Sequence, residues 1–270
     1  MDWQPIGQTA LVDAMDATAQ SNGMTDIKAM ILAAGRGERM RPLTDVTPKP
    51  LLKVGGKALI DWHVEALALG GFTGLVINTA WLANAVERHF SDHLSRWRTT
   101  SGPATLSISY SHEALDFGDA LETAGGIARA LPLLSDIFWV LAADVYMPGF
   151  AFLPADVARF AASDKLAHVW LVPNPAHNLK GDFGLSSDGL ALNLAADANA
   201  ALYTFSTVGL YRKAFFDSLP TGNPQGLKAP LAPLLRQAMD NQHVSATLYT
   251  GAWTDVGTPA RLAELNQLSD

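Results

Sequence analysis

Residues 27–33, IKAMILA, form a short apolar run that stops at a Gly-rich segment, the pattern of a buried parallel strand that delivers the chain to a loop. Apolar residues then recur at helical spacing over 59–69, Gly70-Gly71 supplies a C-terminal stop, and 74–79 reads as a second strand, which completes a βαβ unit. The alternation continues with a helix over 83–94, a strand over 106–110, a helix over 123–131 and an apolar run at 138–142. It predicts an α/β protein with a mostly parallel, mixed sheet flanked by helices. Past 144 the pattern mixes: a helix near 155–162, a strand over 168–172, short strand-like pieces within 183–194 and 203–211, a helix over 231–239, a strand over 244–249 and a last helix from Pro259. No repeat or Pro/Ser-rich linker divides this stretch, so 26–270 reads as a single domain. Residues 1–25 carry few core-forming side chains and are expected to form a flexible N-terminal arm.

With 49% hydrophobic residues the chain can bury a large core, which excludes a disordered protein. A net charge of −7 and a pI near 5.4 argue against a general nucleic-acid binder, so any anionic ligand must meet a local cluster of cations. The absence of cysteine removes disulfides, thiolate metal sites and cysteine nucleophiles, and fits a reducing cytoplasm. No apolar run approaches the roughly 20 residues of a membrane span, and the first residues lack a basic start followed by an apolar segment. The expectation is therefore a cytoplasmic protein with no membrane partner; composition is silent on oligomeric state.

The segment LAAGRGERMRPLTDVTPKPLL, 32–52, places small residues, two glycines, four cations and three prolines directly after the first strand. Ala33, Ala34, Gly35 and Gly37 allow backbone N–H groups to approach a phosphate, while Arg36, Arg39, Arg41 and Lys49 can add charge-assisted hydrogen bonds. A dinucleotide fingerprint would need a small residue at Met40 and a helix running through Pro42. A P-loop would need a Gly-Lys-Ser/Thr ending. Asp144 follows the apolar run 138–142 at the carboxyl end of a buried strand, where open α/β sheets bind ligands; alone it could equally cap a turn. Asp255, in GAWTDVGTPARL, alone reads as a turn residue before the last helix, and Thr123 in ALETAGGIARAL as a helix cap. His112, His168, His177 and His243 lack ligand spacing, and no Gly-x-Ser-x-Gly supports a hydrolase.

The string 32–52 resembles the LAAGxGxRMxPLTxxxPKPL signature of the sugar-1-phosphate nucleotidyltransferases, with Gly35, Gly37, Arg39, Pro42, Leu43, Thr44, Pro48, Lys49, Pro50 and Leu51 in place. The resemblance implies a Rossmann-like nucleotidyltransferase fold. In it Ala34, Gly35, Gly37 and Arg39 hold the triphosphate of an NTP, and Lys49 meets phosphate at the reacting end; Glu38 counts among the nucleotide-binding residues, where a carboxylate beside phosphate is unfavourable unless it faces ribose, a metal-bound water or a cation. Glu38 departs from the Thr of many relatives, and Ala143 from the Gly usual before the first aspartate. The resemblance further implies one Mg2+ held by Asp144 and Asp255, and a base-reading loop with Thr123 and Gly125.

The strings VINTAWL, ALETAGGI, KGDFGL, APLLRQAM and WTDVGTPARL resemble one branch, the uridylyltransferases that act on N-acetylmuramate 1-phosphate in bacterial cell-wall recycling. That likeness implies UTP as the NTP, with Asn78, Trp81, Gly181 and Asp182 lining a sugar pocket. It also implies a nucleotide-binding part over about 26–145 and a sugar-binding part over about 146–250. Mannose-1-phosphate guanylyltransferases and glucose-1-phosphate thymidylyltransferases are the alternatives. Either way, the implied reaction is in-line attack of the sugar phosphate on the α-phosphate, with Arg39 and Lys49 catalytic through charge stabilisation and without a general base. A non-catalytic sugar-nucleotide-binding regulator on the same fold would be expected to lack Lys49 or an aspartate.

Overall fold

The computed structural model describes residues 27–91, 97–99, 102–103, 105–195 and 200–268. The arm expected over 1–25 and the end of the helix expected to reach 94 lie outside them. In chain order, β1 (Lys28–Leu32) leads through three short turns to a hairpin of β2 (Lys53–Val54) and β3 (Lys57–Ala58) and to α1 (Leu59–Leu69). β4 (Gly74–Thr79), α2 (Ala83–Ser91), the pair β5 (Arg98–Thr99) and β6 (Gly102–Pro103), β7 (Ser107–His112), α3 (Glu113–Phe117), α4 (Glu122–Ala130) and β8 (Ile137–Ala142) follow. The rest holds β9 (Val145–Tyr146), α5 (Pro154–Ala161), β10 (Ala167–Val172), β11 (Phe183–Leu185), β12 (Ala191–Leu192), β13 (Leu202–Arg212), α6 (Leu231–Asp240), β14 (Val244–Leu248), β15 (Thr254–Asp255) and α7 (Pro259–Gln267).

Nine strands form one sheet, ordered β12-β11-β13-β8-β1-β4-β7, with β10 pairing both β13 and β14. β1 is parallel to β4 on one side and to β8 on the other, and β4 is parallel to β7. β13 turns the sheet mixed, because it runs antiparallel to β8, β10 and β11. The strands alternate between two cores. Ala29, Ile31, Trp139 and Leu141 pack on one face with α1, whereas Met30, Phe138 and Val140 pack on the other with α4 and α6. A period of two with both faces buried reads in sequence as an unbroken apolar run, which is why β1 and β8 were legible. No helix among the described residues is long and apolar enough to cross a membrane.

The expected cap of α4 is corrected. The helix begins one residue early, at Glu122, behind Leu121, and no side chain caps it; the Leu121 N–H instead donates to Glu113 Oε2 at 2.7 Å. The helix α3 and the β9–β15 ladder were not foreseen, since two to five residues are too short to show a period.

Burial of imidazoles gives the fold a pH dependence. His63 lies inside α1, its Nε2 2.7 Å from the Val145 carbonyl, and burial lowers its pKa to about 4; burial also lowers His168 to about 4. Unfolded, both groups titrate near 6.5, so between about 6.5 and 4 the unfolded chain binds protons that the folded chain refuses. Stability is therefore full above pH 6.5 and falls on acidification, by about 1.4 kcal/mol per pH unit for each such proton. Thermal melts at pH 7 and 5 should show that fall, and His168→Asn should show a smaller one; an equal fall in the variant would clear His168 of the effect.

Candidate active site

At the carboxyl end of β1 the last ladder bond to β8 runs from Ala143 N to the Leu32 carbonyl at 3.0 Å. The next donor, Ala33 N, has no strand partner and donates to Asn78 Oδ1 at 2.7 Å. Asn78 passes the tie on, its Nδ2 donating to the buried Glu113 Oε1 at 2.7 Å. Burial pushes the Glu113 carboxyl up, opposed by the N–H of Leu121 and the Asn78 amide. The 33–37 loop thus starts from a fixed point, and Ala143 fits there as a core residue without the usual glycine.

The loop is braced from outside as well. Gly37 has φ 66°, and a Cβ there would lie 3.0 Å from the Thr44 methyl, so glycine is required on both counts. The Thr44 hydroxyl donates to the Gly37 carbonyl at 2.8 Å, and the Thr44 carbonyl accepts from Arg36 Nη1 at 3.0 Å and Trp81 Nε1 at 2.9 Å. Arg36 stacks 3.5 Å above the Trp81 ring. Trp81 is therefore a clamp on the phosphate loop, and Arg36 is occupied by structure.

Around this loop lies a cavity of about 250 Å³, lined by Ala33, Ala34, Gly35, Lys49, Asn78, Glu122, Thr123 and Asp144 among others. Lys49, buried on a short turn, forms an ion pair with Asp144. Glu38 and Arg39 are exposed and outside the residues lining this cavity, which removes the conflict of placing the Glu38 carboxylate beside phosphate. Arg39 has no hydrogen-bond or ion-pair partner among the described residues.

Asp144 precedes β9, and Asp255 ends β15 on the facing strand: Asp255 pairs with Val145, and Val256 N donates to the Asp144 carbonyl at 3.0 Å. Residues 111 positions apart thus become backbone neighbours through a two-residue ladder. Asp255 Oδ2 accepts from Arg261 Nη1 at 2.8 Å and lies 3.6 Å from His177 Nε2. Gly257 leaves room for that arginine, which would lie 3.0 Å from a Cβ there. Each carboxylate is partly exposed and neutralised by a cation, so the pair offers hard oxygen donors without a large uncompensated charge.

A second cavity of about 540 Å³ continues from the first, and Leu32, Glu122, Thr123 and Ala142 line both. Asp182 lines it, with Oδ2 accepting from Phe205 N at 2.8 Å and Oδ1 from Asn178 Nδ2 at 3.2 Å. Gly181 is not among the lining residues; with φ 68° and Leu202 backbone 2.8 Å from a Cβ, it is the turn that brings Asp182 into place. Gly125 faces away from both cavities. Its N–H donates to the Ala229 carbonyl at 3.1 Å, and a Cβ would strike the Leu227 carbonyl. The structure therefore gathers Ala34, Gly35, Lys49, Asn78, Thr123 and Asp144 at one cavity, adds Asp255 across the ladder and Asp182 at the second, and puts Trp81, Gly125 and Gly181 in supporting positions.

Four residues went unread in the sequence: Glu113, Glu122, Thr207 and Arg236. Glu122 and Thr207 hold φ of 59° and 70°, uncommon outside glycine and a marked outlier for the β-branched threonine, and both line the second cavity. Only tertiary geometry exposes such positions.

A model of the nucleotidyl transferase family matches residues 28–187. The chain is 45% identical over 245 residues to the N-acetylmuramate alpha-1-phosphate uridylyltransferase of Neisseria meningitidis serogroup B, covering 90% of this chain and 98% of that protein. It is 32% identical over 256 residues to the protein of the same name from Caulobacter vibrioides, covering 90% and 97%. The inositol-1-phosphate CTP transferase structure from T. maritima shares the fold, with a TM-score of 0.65 at 17% identity over 90% of this chain and 96% of that one.

Asn78 is tied into the scaffold on both sides, so Asn78→Leu should cost about 2–3 kcal/mol by stranding the Ala33 N–H and the Glu113 carboxylate. Chemical denaturation measures it. Unchanged stability would leave Asn78 as a ligand group only.

Proposed function

The chain belongs to the nucleotidyl transferase family, and from that premise we propose that it joins UTP to N-acetylmuramate 1-phosphate, giving UDP-N-acetylmuramate and pyrophosphate. The observation that carries the reading is the single cavity in which Lys49 and Asp144 face the glycine loop at the carboxyl end of β1. The names of the two relatives, each matched over 90% of this chain, support the substrates.

In the proposed reaction a phosphate oxygen of the sugar 1-phosphate attacks the α-phosphorus of UTP. A new P–O bond forms as the bond to the bridging oxygen breaks, and pyrophosphate leaves with the electron pair. The attacking phosphate is already ionised near neutral pH, so no side chain has to take a proton. The N–H groups of Ala34 and Gly35 and the Lys49 ammonium meet charge that spreads over the phosphates. Arg39, exposed at the loop and without a partner among the described residues, is available to the triphosphate. Thr123, between the two cavities, lies where base and sugar would meet.

Asp144 and Asp255 would hold Mg2+. They are two carboxylates on facing strands, and among the described residues no cluster of three or more His, Asp or Glu forms a cage. That donor set fits an ion that keeps water and shares substrate phosphates. When bound, the ion supplies charge neutralisation between two anionic reactants.

The first cavity is lined wholly by residues up to 144, and the second adds residues from 182 to 236. That supports a nucleotide part over about 26–145 and a sugar part over about 146–250 within one domain. The cysteine-free composition suits a cytoplasmic enzyme.

A panel of NTPs and sugar 1-phosphates tests the substrates: kcat/KM should be highest for UTP with N-acetylmuramate 1-phosphate, and a preference for GTP with mannose 1-phosphate or dTTP with glucose 1-phosphate would overturn the assignment. Lys49→Ala should slow turnover about 10²-fold with the fold retained, the scale for removing one preorganised charge-stabilising donor. Asp144→Asn and Asp255→Asn should each abolish most Mg2+-dependent pyrophosphate release, and the double variant should be scarcely worse than either. Full activity in Asp255→Asn would remove it from the metal.

A further inference from the structure

The second cavity is built for more than a plain hexose. Phe183, Phe205, Leu231 and Leu235 make its walls apolar, although a hexose bearing only hydroxyls presents no aliphatic group to fill them. Arg236 is the one basic side chain among the lining residues. It projects from α6 and is held in place: its guanidinium lies 5.0 Å from the Phe183 ring, Nη1 donates to Asn193 Oδ1 at 2.7 Å, and Nη2 donates to the Asp182 carbonyl at 3.3 Å. These bonds use two of its five N–H groups and neutralise none of its charge. Among the described residues Arg236 has no direct ion-pair partner, although the Asp182 and Glu122 carboxylates line the same cavity and Asp240 shares Asn193 with it.

The backbone beside the same space is irregular. Between Val169 and Leu171 the β10–β13 register shifts, so that 206–208 stand against Trp170 alone. This bulge places Thr207 in its φ of 70°, where its hydroxyl is buried without a hydrogen-bond partner. A strained backbone and an unsatisfied hydroxyl each cost free energy in the absence of a polar ligand.

We propose that Arg236 binds a carboxylate carried by the sugar and thereby selects a sugar 1-phosphate with an acidic ether substituent. The apolar walls take the methyl groups of that substituent and of the acetamide. This deepens the function proposed above and rests on it: N-acetylmuramate differs from N-acetylglucosamine by a lactyl ether, which adds one carboxylate and one methyl group. A fixed guanidinium without a direct ion pair recognises the first, while the wall recognises the second.

The test compares wild type, Arg236→Gln and Arg236→Lys with UTP and either N-acetylmuramate 1-phosphate or N-acetylglucosamine 1-phosphate. Arg236→Gln should lower kcat/KM for the muramate about 10- to 100-fold, chiefly through KM, and change that for the glucosamine less than about threefold. Arg236→Lys should recover part of the loss. The ratio between the two sugars within one preparation does not depend on the fraction folded, so a destabilised variant still answers the question. An equal loss on both sugars makes Arg236 structural and overturns the proposal, as does an unchanged ratio. Wild type that prefers another sugar instead overturns the function itself, whatever the variants do.

Discussion

A central parallel strand flanked on both sides must end somewhere, and its last backbone groups then need partners that the sheet cannot supply. In this protein β1 ends between β4 and β8: Ala143 N on the Leu32 carbonyl closes the ladder to β8, and the first donor beyond it, Ala33 N, is met by the side chain of Asn78. Every element of the site is referred to that junction. The glycine loop starts from it, Asp144 follows directly after Ala143, and Glu113 holds both Asn78 and the amide that opens α4. A buried amide bonded on both sides is rigid, and a buried donor left unpaired would be costly, so the loop has little freedom at its root.

The second organising feature is charge. A chain of net charge −7 offers an anionic substrate little general attraction, so its cations must be placed individually. Lys49 is set against Asp144 and Arg261 against Asp255, so that each carboxylate carries its own counter-charge on a separate element. The arrangement keeps four ionised groups near one another without a net excess.

The long strand β13 joins the two halves of the active site. Its later residues pair with β8, behind the reaction cavity, and its first residues pair with β11, beside the second cavity. Between them the bulge changes the direction of the side chains, and Thr207 faces the space where the halves meet. Bulges re-aim side chains in this way next to active sites, at the cost of lost ladder pairing.

The sequence by itself determined the alternating α/β body, because strands buried on both faces and helices at 3.6-residue spacing leave local patterns: β1, α1, β4 and β8 were all readable in it. It also marked out the Gly-rich loop after β1, whose small residues, cations and prolines are contiguous. Where conformation depends on distant partners, it was silent. The resemblance implied Gly125 in a base-reading loop and Trp81 beside a sugar pocket, but not that the Gly125 N–H is bonded to Ala229 or that Trp81 braces Thr44. The two-residue ladder that joins Asp144 to Asp255 has no period to detect, and Glu122, Thr207 and Arg236 sit in strings without a motif. Those positions were decided by tertiary structure alone, since a strained φ, an orphaned hydroxyl or an unpaired guanidinium is defined only by what surrounds it.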